Sequence, residues 1–182
     1  MNRLSGLVAA AALLLLPGLA LGQDGQSRLT GLKLSGDEPI EIESDRFEVN
    51  EAESVGTFTG NVSVMQGATL LKAGRMKVFY DRDSGSATTG NAQIDRLEVD
   101  GGVYVKSNAQ VATGDQATFD MASEVLVLSG SEVVLTEGEN VIVGCKLTVR
   151  MATGQGTLES CSDGGSDGRV RMLLTPNSRN EQ

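Results

Sequence analysis

The chain has 182 residues, with 15 Lys plus Arg against 24 Asp plus Glu, no histidine, four Phe, two Tyr and no Trp. A net charge of −9 with so few rings supplies neither a cationic groove nor a stacking platform, so no nucleic-acid partner is expected. Without histidine there is no Ser-His-Asp triad and no common zinc set, and no GxxxxGK[ST] run is present, so neither enzyme activity nor a metal or cofactor is expected.

Residues 1–22 read as an address and not as structure. Arg3 is the basic start, residues 7–16 are an apolar run, and Pro17-Gly18 breaks it. Ala20-Leu21-Gly22 then has the small-x-small pattern of a cleavage site before Gln23. The run is about half of the roughly 20 residues that span a bilayer. Export with cleavage is therefore expected, leaving residues 23–182 with 14 basic and 24 acidic side chains, a net charge of −10. Residues 23–35 read as a flexible lead, 36–175 as one domain, and 176–182 as a disordered tail.

From residue 40 onward, short alternating segments follow one another. Ile40-Glu41-Ile42-Glu43 and Phe47-Glu48-Val49 come first, then Phe58-Thr59-Gly60-Asn61-Val62-Ser63-Val64 and Met76-Lys77-Val78-Phe79-Tyr80. Leu97-Glu98-Val99, Val103-Tyr104-Val105, Leu147-Thr148-Val149-Arg150-Met151 and Val170-Arg171-Met172 complete the series. A period of two puts one apolar and one polar face on each strand. No helical pattern is sustained after residue 22, and 23 glycines punctuate the chain, so the fold class is all-β.

A short template recurs within this pattern. Ser44-Asp45-Arg46-Phe47-Glu48-Val49 matches Ala73-Gly74-Arg75-Met76-Lys77-Val78, Gly114-Asp115-Gln116-Ala117-Thr118-Phe119 and Gly144-Cys145-Lys146-Leu147-Thr148-Val149, at intervals of 29, 41 and 30 residues. Such recurrence suggests stacked strand pairs. The long middle interval places an inserted loop at residues 82–91. The pattern alone favours a filled core between apolar faces over a groove.

Two cysteines in an exported chain suggest one disulfide. In a hairpin centred on Thr153, paired positions sum to 306, which sets Cys145 directly against Cys161. Asp45, Asp81, Asp115 and Asp120 are the carboxylates available for acid–base work, but each sits in or beside a turn, where aspartate is ordinary. The run Asp163-Gly164-Gly165-Ser166-Asp167-Gly168 lacks a calcium loop's ligand count and reads as a hairpin connection.

Pro39-Ile40-Glu41-Ile42-Glu43-Ser44-Asp45, followed by Phe58-Thr59-Gly60-Asn61-Val62 and Gln66-Gly67, resembles the LptA/OstA-like lipopolysaccharide-transport proteins. Thr113-Gly114-Asp115-Gln116-Ala117, Leu128-Ser129-Gly130 and Asn140-Val141-Ile142-Val143-Gly144 continue the resemblance in order, over roughly residues 36–175. Gly74 and Cys145 depart from it, standing where an aspartate is common. The resemblance implies two antiparallel sheets in an open, bent jelly roll with an apolar groove. It implies a periplasmic carrier that shelters the acyl chains of lipid A. It also implies joining head to tail through sheet edges, with an inner-membrane LptC-type protein at the N-terminal edge and an outer-membrane LptD-type translocon at the C-terminal edge.

On this reading Ile40, Phe47, Val62, Val64, Met76, Val78, Val103, Val105, Phe119, Leu135, Leu147 and Val149 line the interior, with Ile40 and Glu43 near its mouth. A register error of one residue would turn any of them outward. Competing readings are a membrane-anchored LptC-type component, a β-solenoid structural protein with a dry core, and a β-helical carbohydrate enzyme. Unequal repeat intervals weigh against the solenoid, and the absence of aromatic platforms weighs against sugar binding.

Overall fold

A computed structural model describes residues 39–85, 92–161 and 168–175. The expected signal peptide, the whole N-terminal lead, residues 163–167 and the tail from residue 176 lie outside these residues. Among the described residues, ten strands form one antiparallel sheet. They are β1 (Glu41–Glu43), β2 (Arg46–Asn50), β3 (Val55–Gln66), β4 (Thr69–Tyr80), β5 (Ile94–Ser107), β6 (Gln110–Asp120), β7 (Val125–Glu137), β8 (Asn140–Arg150), β9 (Gln155–Glu159) and β10 (Arg171–Leu173). The order is β1-β3-β4-β5-β6-β7-β8-β10, with β2 also on β3 and β9 also on β8, so the sheet is open at both ends. The all-β expectation holds. A 3-10 turn at Arg82–Ser84 opens the connection from β4 to β5 where an inserted loop is expected, and residues 86–91 of that expected loop lie outside the described residues.

The hydrogen-bonded ladder is continuous, so the two expected sheets are two halves of one. Register shifts interrupt every long strand near its middle: Thr59/Val62, Lys72/Arg75, Asp100/Val103, Thr113/Gln116 and Ser129/Val133. An extra residue at such a point bends the strand and increases its twist. Aligned across the sheet, these points form a fold line. On one side lie β1, β10 and the halves carrying residues 62–73, 103–114 and 133–144; on the other lie β2, β9 and the halves carrying 55–59, 75–79, 94–100, 116–120, 125–129 and 146–150. We call these the first and second walls.

Glycine occupies the fold line because neighbouring strands leave no room there for a side chain. Gly101 has φ +85°, and a Cβ on it would come within 2.9 Å of Gly74 Cα. At Gly144 a Cβ would meet Glu159 O at 2.6 Å and Leu158 Cγ at 2.7 Å. Gly144→Val is therefore expected to push β9 from β8 and cost about 2–3 kcal/mol, read from the denaturant midpoint. A midpoint equal to that of the parent would show that β9 does not depend on this close approach.

The recurring template acquires a physical meaning here, since each copy crosses the fold line. Its second residue reaches across to a later part of the chain in a different way each time. Asp45 donates its N–H to Gly60 O at 2.9 Å and accepts from Asn61 Nδ2 at 2.9 Å. Gly74 lies against Gly101. Asp115 Oδ2 accepts from the Ser131 N–H at 2.7 Å. Cys145 bonds covalently to Cys161. Two carboxylate clips, one glycine contact and one disulfide thus hold the same line.

The disulfide is present, but not by the expected direct opposition. The ladder pairs Lys146 with Glu159 and Leu147 with Leu158, sums of 305. A four-residue turn at 151–154 replaces one centred on Thr153. Cys161 therefore lies one residue beyond the position facing Cys145, just past the end of β9, with the Cα atoms 5.0 Å apart. Replacing both cysteines with serine should lower stability by about 3 kcal/mol, the chain-entropy value for a loop of this length, measured by urea unfolding. An unchanged midpoint would show that the β8–β9 ladder holds without the bond.

Candidate functional site

The interior is built from two cross-strand rows, one on each wall. On the first wall, Ile42, Val64, Leu71, Val105, Ala112, Leu135, Ile142 and Met172 pair successively across the sheet. On the second, Phe47, Phe58, Met76, Val99, Ala117, Leu128, Leu147 and Leu158 do the same. Side chains alternate between sheet faces, so each row shares one face. Residues of both rows belong to a single core cluster, which places the walls face to face. Val133 and Val149 are fully buried at 0% exposure and Leu128 at 1%. Each such side chain contributes about 1.5–3 kcal/mol of burial.

Between the walls remains an apolar cleft of about 70 Å³. Val64, Leu71, Val105 and Ala112 line it from the first wall. Met76, Leu97, Val99, Ala117, Phe119, Leu126, Leu128, Leu147 and Met151 line it from the second. A second hollow of about 130 Å³ lies at the β1–β2 end, lined by Ile42, Phe47, Phe58, Val78, Tyr80 and Ile94 among others.

The expected lining residues fall into three groups. Val62, Val64, Met76, Val103, Val105, Leu147 and Val149 are buried in the core cluster, and Val78, Phe119 and Leu135 are partly buried against it. Ile40 and Phe47 are 44% and 46% exposed at the β1–β2 edge, although the Phe47 ring stacks on Phe58 at 4.4 Å. Glu43 is exposed and pairs with Ser63, on the face opposite to Ile42.

Sequence reasoning missed Leu71, Leu97, Val99, Ala112, Ala117, Leu126, Leu128, Val133 and Met151. Leu70-Leu71 and Val125-Leu126-Val127-Leu128 lack alternation, so their pattern carries no facing, while the alanines are too small to signal a wall. The hairpins at Gly67, Asn108 and Gly138, each with φ between 53° and 59°, could have fixed the register of three strand pairs.

The four carboxylates weighed for acid–base work are engaged in local structure. Asp81 Oδ1 accepts from the Asp83 N–H at 2.9 Å, and Asp120 Oδ1 accepts from Ser123 N and Oγ at 2.8 and 2.6 Å. Those bonds from Ser123 hold the Asp120 carboxyl below its ordinary range. Asp45 and Asp115 are the clips on the fold line. At the rim of the second wall, burial and then donation to Glu51 at 2.8 Å push the Tyr80 hydroxyl above its ordinary range. Among the described residues no helix is long and apolar enough to cross a membrane.

Comparison with known proteins agrees with this architecture. The family described as LptA/(LptD N-terminal domain) LPS transport protein matches residues 41–155. An uncharacterised protein of Rhizobium meliloti (strain 1021) is 48% identical over 179 residues, covering 97% of this chain and 94% of that one. The lipopolysaccharide export system protein LptA of Escherichia coli K12 is 32% identical over 143 residues, 77% of this chain and 72% of its own. The crystal structure of LptH from Pseudomonas aeruginosa, described as the LptA-homologous periplasmic component of a lipopolysaccharide transport device, superposes with a TM-score of 0.61. At 17% identity, with 76% of this chain and 96% of LptH covered, that match establishes the shared fold. The folded sheet, its register and these relatives lead to one assignment: the chain belongs to the LptA/LptD N-terminal-domain family of lipopolysaccharide transport proteins.

Proposed function

We propose that this protein is a periplasmic carrier that shelters the acyl chains of lipid A between its walls on the way from the inner to the outer membrane. The observation that carries the reading is the apolar seam, in which both walls present apolar side chains to one cleft, with no charged residue among the described residues that line it. Transfer of an alkyl chain from water to such a site is worth about 0.8 kcal/mol per CH₂, or on the order of 10 kcal/mol for a dozen carbons. A chain of that length needs more space than about 70 Å³, so loading parts the walls about the glycine-lined fold line. With a net charge of −9 the exterior offers phosphates no strong attraction, which leaves binding to the tails.

The open edges support the second part of the reading, a bridge made by strand addition. Exposed apolar residues concentrate there: Ile40 and Ile42 by β1, and Val170, Met172, Leu173 and Leu174 by β10. An LptC-type protein would join at the β1 edge and an LptD-type translocon at the β10 edge. Further copies would join head to tail between them.

The test is saturation binding of labelled lipopolysaccharide to purified protein, competed with lipid A and with delipidated core sugar. Displacement by lipid A alone is the expected result. No binding by folded, monodisperse protein would leave the seam as a core only.

A further inference from the structure

The first wall does not stay apolar to its rim. Two residues beyond the Val64–Leu71–Val105–Ala112–Leu135 row, on the same inward face, the paired positions are Gln66, Thr69, Ser107, Gln110 and Glu137. Gln66 is 4% exposed, Thr69 8%, Ser107 2% and Gln110 7%; these four are the buried polar side chains among the described residues. Polar groups on an inward face cost free energy unless hydrogen bonded, and an aliphatic rim would avoid that cost.

We propose that this row is a hydrogen-bonding shelf for the neutral polar groups at the head of an acylated sugar: the amides, esters and hydroxyls that join acyl chains to the ring. The inference rests on the proposed sheltering of acyl chains in the seam, and it adds where their polar ends lie. Three features carry it. Thr69 itself lines the apolar cleft, so the shelf and the tail site are contiguous. Thr69 Oγ1 and Ser107 Oγ lie 3.1 Å apart, and whichever hydroxyl accepts in that bond keeps its own hydrogen to donate onward. The row holds no Lys or Arg, and its one charged member, Glu137, accepts from Gln110 Nε2 at 3.5 Å. Such a surface suits carbonyl and hydroxyl partners and repels phosphate.

The experiment uses Thr69→Val and Ser107→Ala, near-isosteric changes that keep the wall. Binding of lipid A is compared with uptake of pyrene, an apolar dye with no polar group. Each variant should raise the lipid A dissociation constant roughly three- to tenfold, the worth of one buried hydrogen bond, while pyrene uptake stays unchanged. Unchanged affinity for both probes overturns the shelf and leaves the sheltering of tails intact. Equal loss of both probes also overturns it, by showing a damaged wall. If the parent protein takes up pyrene but not lipid A, the carrier reading itself falls.

Discussion

Val64→Asp should abolish lipopolysaccharide binding. Val64 is 7% exposed, sits between Ile42 and Leu71 in the first-wall row, and lines the cleft. An ionised carboxylate there has no cation among the cleft-lining residues, and burying it unpaired costs several kcal/mol. Binding driven by alkyl burial must overcome that cost and also tolerate a hydrated group in its path. Because the substitution also weakens the core, Phe119→Asn serves as a milder partner: Phe119 lines the same cleft but is only partly buried. Circular dichroism establishes that each variant folds. A folded Val64→Asp protein that binds lipopolysaccharide as the parent does would show that the row is not the lining.

The second large effect is expected at the C-terminal edge. Deletion of everything after Gly168 removes β10 and should leave lipid binding intact while abolishing chain-to-chain association. Light scattering across concentrations reads the result, and an unchanged mass profile would sink the edge assignment. A point substitution tests the pairing more finely. Continuing the first-wall row into the next copy sets Met172 against Ile42 and Leu174 against Ile40 on the inner face. The same antiparallel register sets Arg171 against Glu43 on the outer face.

Symmetric antiparallel joining of two β1 edges about Ile42 would instead oppose Glu41 of each copy to Glu43 of the other, so charge favours the head-to-tail direction. Arg171 has a competing partner in Glu132, but at 3.8 Å between highly exposed side chains that pair is weak. Arg171→Glu should weaken association on the order of tenfold, and mixing it with a Glu43→Arg protein should restore mixed assembly. Failure of the mixture to recover would argue for a different register.

Much of this architecture is legible in the amino-acid sequence. Alternation of apolar and polar residues is a local property of the chain, so strands such as Met76–Tyr80 and Leu147–Arg150 could be read directly. The recurring template and its long middle interval showed that strand pairs repeat. The cysteine pair was visible from export and spacing, though its register was off by one because a four-residue turn cannot be told from a three-residue one by pattern. The Phe58-Thr59-Gly60-Asn61-Val62 and Thr113-Gly114-Asp115-Gln116-Ala117 segments carried the family.

Local pattern along the chain sets the strands, the apolar character of one face of each, and the residues able to turn or bend the chain. The alignment of the glycines into one fold line comes from tertiary packing, because it depends on the register of strands distant in sequence. Packing also sets that Leu71 rather than Leu70, and Val133 and Leu135 rather than Val134, face inward, since an unbroken apolar run has no period to read. The facing of the two walls, the 70 Å³ cleft and the polar rim beside it follow from that folding. They arise between residues that no local pattern connects.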